Sequence, residues 1–343
     1  MRRIVRKVHL APKVVFIDGQ PGCGKTMLSP IVSAMDRVEL MSYAFEIEFM
    51  CRLFHLEKVS FDAAEAWSSM FADHKLYQGM MGREMNCRYS DLSSAFQAPN
   101  PQKYLSRLFG DGDETVPARI EREKPILHFA THNLLAYGAP VFSGLGSRAV
   151  MIEVVRHPLY MVKQLALNME RLPSNPRDID VYFEYNNDQL PYFVYGWEDL
   201  YNKSNFIERA IYCIQHMTDQ IAESEKECIQ NHGAQIITIP FEQFVLNPTP
   251  FIKQIEEALD THSTDLTHKE MERQKVPRKM IADGISLDIY KRCGWEPPKS
   301  RTEREELNIR RVYAEQNSGK DAIKVLDQLS QKYENDYLTD ILE

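Results

Sequence analysis

No stretch of this 343-residue chain reaches the roughly 18 consecutive apolar residues of a membrane-spanning helix, so no span is expected. The six cysteines, Cys23, Cys51, Cys87, Cys213, Cys228 and Cys293, make no CxxC pair and no metal-like spacing. That excludes a disulfide scaffold and a zinc ribbon and predicts reduced thiols in a cytoplasmic protein. Positive charge is also short: 41 Lys+Arg stand against 49 Asp+Glu, a net charge of −8. A surface of that sign does not neutralise a nucleic-acid backbone, so no nucleic-acid partner is expected. With Gly 15 and Pro 18, low-complexity and collagen-like chains are excluded. The start, MRRIVRKVHLAPK, lacks the unbroken apolar core and small-residue cleavage site of a signal peptide. It reads as a basic lead-in to the first strand.

What is present is ordinary globular material, 43% hydrophobic and 26% charged, enough for a large core. The length allows two domains or one enlarged one. No internal repeat or Gly/Ser linker appears, so one main domain over residues 1–300 is expected, with a charged helical tail over 301–343 broken near Asn317-Ser318-Gly319. Short apolar runs at 14–18, 126–130, 149–155 and 235–239 read as buried strands, and 38–41 as a further one. Helical patterns cover 25–36, 46–57, 61–78 and 206–230, and Pro158 sits where a helix begins. Strands alternating with helices predict an α/β fold, a P-loop-type parallel sheet flanked by helices with helical insertions. The irregular segments 79–124 and 172–196 are expected to form acceptor-side loops, because long loops carry specificity. Their tyrosines, Trp197, Arg83 and Arg88 suggest a polar acceptor. Ligands of such sheets bind beyond the carboxyl ends of the strands.

After the first strand comes Gly19-Gln20-Pro21-Gly22-Cys23-Gly24-Lys25-Thr26, a full G-x-x-x-x-G-K-[ST] between a strand and a helix. Glycines let such a loop fold backbone N–H groups around an anion, and the helix N-terminus adds its dipole. Lys25 supplies a mobile positive charge and Thr26 a hydroxyl. Phosphoryl transfer also needs Mg²⁺ held by an acidic residue at another strand end. The strand at 126–130 runs instead into Thr131-His132, and 149–155 into Arg156-His157-Pro158. Glu153 lies inside its strand, and Asp18 adjoins the loop. His132 is placed to take a proton near neutral pH. His128, four residues earlier on a strand, makes no helical ligand face, so no metal is expected. Arg156 offers a planar fork to a phosphate. Lys275-Val276-Pro277-Arg278-Lys279 is a basic cluster able to close over an anion.

Together these features resemble the sulfotransferases that use 3′-phosphoadenosine 5′-phosphosulfate (PAPS): a phosphate loop after strand one, a Thr-His after a middle strand, and R-x-P at the end of the next. Ile239-Pro240-Phe241-Glu242-Gln243-Phe244 and Asn247-Pro248 resemble that family's late strand and helix entry, so the likeness runs over about 13–259. It implies that Gly22, Cys23, Gly24, Lys25, Thr26 and Met27 hold the 5′-phosphosulfate, that Arg156 holds the 3′-phosphate, and that Arg278 and Lys279 cover it. His132 would be the base. Lys25 would stabilise the transferring group. There are departures. Lys25 follows Gly24, where the family carries a Lys-x-Gly-Thr-Thr pattern. Gln164 stands where the family has a serine, and Ala130 where a lysine often precedes Thr-His. Gly284 comes later than the glycine that usually adjoins the basic loop. In the glycosaminoglycan branch the base is a glutamate in a run resembling Glu46-Ile47-Glu48-Phe49-Met50, so Glu46 competes with His132. The expected activity is sulfuryl transfer from PAPS, without a metal, to a hydroxyl or amine of a small-molecule or carbohydrate acceptor. The alternatives are a P-loop kinase using ATP and magnesium and a nucleotide-binding module without chemistry.

Overall fold

β-Branched and aliphatic runs too apolar for a solvated sheet face require cover on both sides, and parallel pairing with helices on each face supplies it. In the computed structural model this is the arrangement. The structure describes residues 2–110, 112–177, 179–281, 291, 293–294 and 302–339. Among these the strands are β1 (Lys13–Asp18), β2 (Ser42–Tyr43), β3 (Ile126–Ala130), β4 (Ala149–Val155), β5 (Tyr182–Tyr185), β6 (Asp188–Pro191) and β7 (Gln235–Pro240). Five form one sheet in the order β2-β3-β1-β4-β7, every neighbour parallel. Every residue of β3, and all but the ends of β1 and β4, is buried.

Helix α1 (Lys25–Ser33) follows β1, and α2 (Phe45–His55), α3 (Phe61–Met81), α4 (Pro101–Leu105) and α5 (Val116–Glu123) lie between β2 and β3. Helix α6 (Ala139–Leu145) precedes β4, α7 (Pro158–Arg171) follows it, and α8 (Glu198–Lys203) and α9 (Phe206–His232) lead to β7. After β7 come α10 (Phe241–Leu246), α11 (Thr249–Leu259), α12 (Asp265–Arg273), α13 (Glu303–Asn317) and α14 (Lys320–Tyr337). Pro158 opens α7, and the His157 ring accepts the Leu159 N–H there. Asn205 makes a capping box with Glu208 at the start of α9, and Thr302 does so with Glu305 at the start of α13.

Three local expectations need correction. The second strand lies at Ser42–Tyr43, not 38–41, because only Val38 makes an isolated bridge to β3 and Glu39 turns inward to pair with Arg107 at 2.7 Å. Segment 172–196 contains the antiparallel hairpin β5–β6. Its turn residues Asn186 and Asn187 both have positive φ, 49° and 71°, which matches the right-handed twist of the flanking strands. Segment 79–124 carries α4 and α5 rather than irregular chain alone. Gly284 lies outside the described residues.

The tail helices α13 and α14 pack on α7, and α14 also packs on α9. Tyr333 of α14 donates its hydroxyl to Glu242 at 2.6 Å, and Glu334 meets His157 Nε2 at 3.2 Å. All five strands of the sheet therefore end at one edge, with the tail against the β4–β7 side of it.

Candidate functional site

At that edge the loop 19–24 joins β1 to α1. Gly22 and Gly24 have φ of 94° and 109°, a region that side chains rarely adopt. A Cβ on Gly24 would come within 2.2 Å of the Phe241 ring, so the loop closes on that ring only without one. A Cβ on Gly22 would stand 3.1 Å from Gln164 Oε1, which places the Gln164 amide against the loop. The N–H groups of Cys23 and Met27 donate within the loop, to the Gln20 and Gly24 carbonyls, and both side chains are buried. Burial raises the Cys23 thiol, so this cysteine shapes the turn as an apolar group. Thr26 is exposed at the first turn of α1.

Lys25 departs from the expectation of a mobile surface charge. It is buried, and its ammonium donates to the Gly19 carbonyl at 2.6 Å beneath the loop. The turn at Gly19 presents that oxygen inward, and the lysine satisfies it.

Arg156 is drawn to the same place by stacking. Its guanidinium lies 4.3 Å from the Phe241 ring centroid and 4.8 Å from that of Tyr160, and Nη1 donates to the Gly22 carbonyl at 2.9 Å. Arg278 lies over the same Phe241 ring at 5.5 Å, with Nε donating to the Lys275 carbonyl and Nη1 to the Ile281 carbonyl. Phe241 thus gathers the loop, Arg156 and Arg278 into one cationic corner. Lys279, next to Arg278, is exposed.

Neither carboxylate near the loop is set up as a metal ligand. Asp18 accepts from Thr131 Oγ1 at 2.9 Å and from the Leu135 N–H at 2.7 Å, so both of its oxygens tie β1 to the segment after β3. Burial, with Asp18 beside it, pushes the Glu153 carboxyl well above the usual carboxylate range. Among the described residues no group of three His, Cys, Asp or Glu side chains gathers as a metal site.

Thr131 is held by Asp18, and Asn133 turns the chain at φ 55°, so His132 between them projects from the strand end. It lines a cavity of about 720 Å³ together with Gln20 and Pro21 of the loop and Phe49, Tyr192 and Asp180. The His132 ring lies nearly parallel to Phe45 (4°) and Tyr43 (15°). His128 does not share this site. It is buried against Ser33 Oγ at 2.9 Å, and burial pushes its imidazole down to about 3.

Glu46, the competing candidate, lies away from His132. It is exposed, does not line the cavity, and its carbonyl accepts from Trp67 Nε1. The carboxylate beside His132 belongs to Glu48, two residues on. Its Oε1 accepts from the His132 N–H at 2.9 Å and lies 3.2 Å from Nδ1. Its Oε2 meets Arg52 Nη2 at 2.5 Å, and Arg52 Nη1 reaches Asp180 at 2.8 Å. Burial works against the Arg52 charge, and Tyr192, Glu48 and Asp180 more than offset it. Segment 172–196 supplies cavity wall, including Arg177, Asp180, Tyr192 and Phe193, whereas none of the lining comes from 79–124. Arg83 and Arg88 pair locally with Asp113 and Asp91, and Trp197 is buried against His216. Phe241 and Glu48 stand in the sequence only inside family-like runs with no role of their own, and Tyr160 and Arg52 carry no signal as single residues. The signal for Glu48 and Arg52 is their i,i+4 acid–base pair on the apolar face of α2.

No family model matches the chain. No curated protein matches it in sequence. Its structure is similar to that of a sulfotransferase domain from the olefin synthase of Synechococcus PCC 7002, at 13% identity and a TM-score of 0.42, over 91% of this chain and 98% of that one. It is also similar to sulfotransferase STF9 of Mycobacterium avium (12% identity, TM-score 0.39, 89% of this chain and 76% of that one). A third similar structure is sulfotransferase STF1 of Mycobacterium tuberculosis H37Rv (12% identity, TM-score 0.36, 87% and 76%). No helix among the described residues is long and apolar enough to cross a membrane.

Proposed function

We propose that this chain is a sulfotransferase that moves a sulfuryl group from PAPS to a hydroxyl or amine of a small polar or carbohydrate acceptor. The observation that carries the reading is the convergence on Phe241: a glycine loop at a helix N-terminus, Arg156 and Arg278 meet at one ring, next to a cavity holding His132. That donor set fits a nucleotide with phosphates at two positions. The loop and the α1 dipole suit the 5′ group, and the two arginines suit a 3′-phosphate. When bound, PAPS supplies a sulfuryl group already carried on a phosphate leaving group.

The chain's own residues do the rest. His132 takes the acceptor proton as the new bond to sulfur forms. The loop N–H groups and the α1 dipole stabilise charge that grows on the departing phosphate. Lys25 turns from the Gly19 carbonyl toward that charge. The cavity, at about 720 Å³, is of the size that takes a small molecule. Its aromatic walls and Arg177 favour an acceptor with a flat apolar face and a polar or anionic group.

The test is the nucleotide that protects the fold. At 100 times its dissociation constant a ligand adds about 2.7 kcal/mol, visible in a melting curve. Adenosine 3′,5′-bisphosphate should raise Tm without magnesium. Stabilisation by ATP with magnesium alone would move the chain to the kinases. Stabilisation by the bisphosphate with no transfer of labelled sulfur to any member of an acceptor panel would leave a binding module.

A further inference from the structure

We propose that Glu48 is a positioning residue for His132, holding its imidazole in the tautomer whose Nε2 is unprotonated and able to accept a proton. The inference rests on the reading of His132 as the base and deepens it. Two contacts to one oxygen fix the arrangement. The His132 backbone N–H, which can only donate, is 2.9 Å from Glu48 Oε1, so that oxygen is an acceptor at this spot. Ring Nδ1 lies 3.2 Å from the same oxygen. A nitrogen facing a carboxylate oxygen carries the proton, so Nδ1–H donates and Nε2 is left with its lone pair. The Phe45 and Tyr43 rings lie nearly parallel to the imidazole, with centroids 6.2 and 6.3 Å away.

The carboxylate is itself held. Glu48 is 1% exposed, whereas the His132 side chain is 32% exposed and lines the cavity. Arg52 Nη2 meets Oε2 at 2.5 Å, Arg52 Nη1 meets Asp180, and the guanidinium lies 4.4 Å from the Tyr192 ring. Glu48 therefore faces donors at both oxygens, the His132 N–H and Nδ1 at Oε1 and Arg52 at Oε2, and two acceptor oxygens are what the geometry requires.

Glu48→Gln breaks that symmetry with little change of shape. The amide has one acceptor oxygen, and Arg52 holds it by the stronger, charge-assisted bond. The amide N–H₂ then faces His132, where the backbone N–H loses its acceptor and the ring favours the opposite tautomer, with the proton on Nε2. A base held in the wrong tautomer loses on the order of 10²–10⁴ in kcat.

The test reads the tautomer directly from long-range proton–nitrogen spectra of ring-labelled protein, with His132→Ala to assign the signal. At about pH 8.5 a typical imidazole is neutral and its protonated nitrogen identifiable. The wild-type protein should show Nδ1–H at His132, and Glu48→Gln should show Nε2–H. In the variant kcat should fall at least about 100-fold while KM for donor and acceptor stays within about threefold, a split that general loosening would not give. Nε2–H in the wild type would overturn the proposal, as would a Glu48→Gln protein with unchanged tautomer and unchanged kcat. The wild-type spectrum needs no variant to fold and no sulfuryl donor. It therefore judges the contact separately from the activity.

Discussion

Replacing Arg156 with alanine should separate two ligands that differ by one phosphate. The guanidinium is held by Phe241 at 4.3 Å, by Tyr160 at 4.8 Å and by its bond to the Gly22 carbonyl at 2.9 Å. A fork fixed in this way loses little freedom when it meets an anion. A charge-assisted bond of this type contributes about 1.5–3 kcal/mol, or roughly 10- to 150-fold in dissociation constant. The substitution also removes the donor from the Gly22 carbonyl, which loosens the loop by about 0.5–1.5 kcal/mol for any nucleotide. That second loss is shared, so the difference between ligands isolates the 3′-phosphate. Adenosine 3′,5′-bisphosphate should weaken roughly 10- to 150-fold more than adenosine 5′-monophosphate, measured by titration calorimetry at fixed ionic strength because salt screens such contacts. Arg156→Lys should recover only part of the loss, since it keeps the charge without the planar fork. Equal losses for the two ligands would refute the placement of a 3′-phosphate at Arg156.

Lys25→Ala should lower kcat by about 100-fold or more. It should also cost about 1–3 kcal/mol in urea unfolding, because the Gly19 carbonyl loses its buried partner. A variant with unchanged rate would remove Lys25 from the chemistry. Gly24→Ala, at φ 109° and 2.2 Å from the Phe241 ring, should cost about 1–3 kcal/mol and abolish the melting shift given by the bisphosphate; a normal shift would show that the loop does not need this closure. His128 is held near 3 when folded against 6.5 when unfolded, so the unfolded chain binds the proton first as pH falls. Stability is fully present above about pH 6.5 and is lost progressively down to about pH 3, by about 2 kcal/mol between pH 7 and pH 5. His128→Gln should lack that portion of the acid loss in denaturant titrations at the two pH values, and an undiminished loss would place the acid sensitivity elsewhere.

The sheet was legible because burial on both faces leaves a continuous apolar run. Ile126–Ala130 and Ala149–Val155 occur at the positions their composition predicts. The break at 317–319 was legible because Asn-Ser-Gly cannot continue a helix without cost. The second strand escapes the pattern because its two residues, Ser42 and Tyr43, are too few to carry one, while the more apolar 38–41 meets β3 only at the isolated Val38 bridge. The β5–β6 hairpin was missed because Asn186-Asn187 supplies positive φ twice without the glycine that usually marks such turns. The arginine corner was legible in part. Arg156 and Arg278 stand out by charge, but their meeting depends on Phe241, and nothing in one aromatic residue says which distant groups will close on it.

The run Glu46–Met50 shows what a helical pattern withholds. Two residues rotate a helix by about 200°, so the two carboxylates point to opposite sides and a resemblance in spacing cannot decide between them. The buried residues of α2 are Ile47, Glu48, Cys51 and Arg52, one face in which an acid and a base stand among apolar neighbours. Taking both charges out of water costs several kcal/mol, and well-packed apolar side chains of the same volume would serve the fold as well or better. Stability alone therefore gives little reason for Glu48 and Arg52. A donor at the end of β3 gives one, because the His132 N–H and ring Nδ1 both lie against the oxygen that Glu48 presents to the cavity. With His132 read as the base, the ion pair and the imidazole form one unit, and the cost of burying the first is offset by the orientation it gives the second.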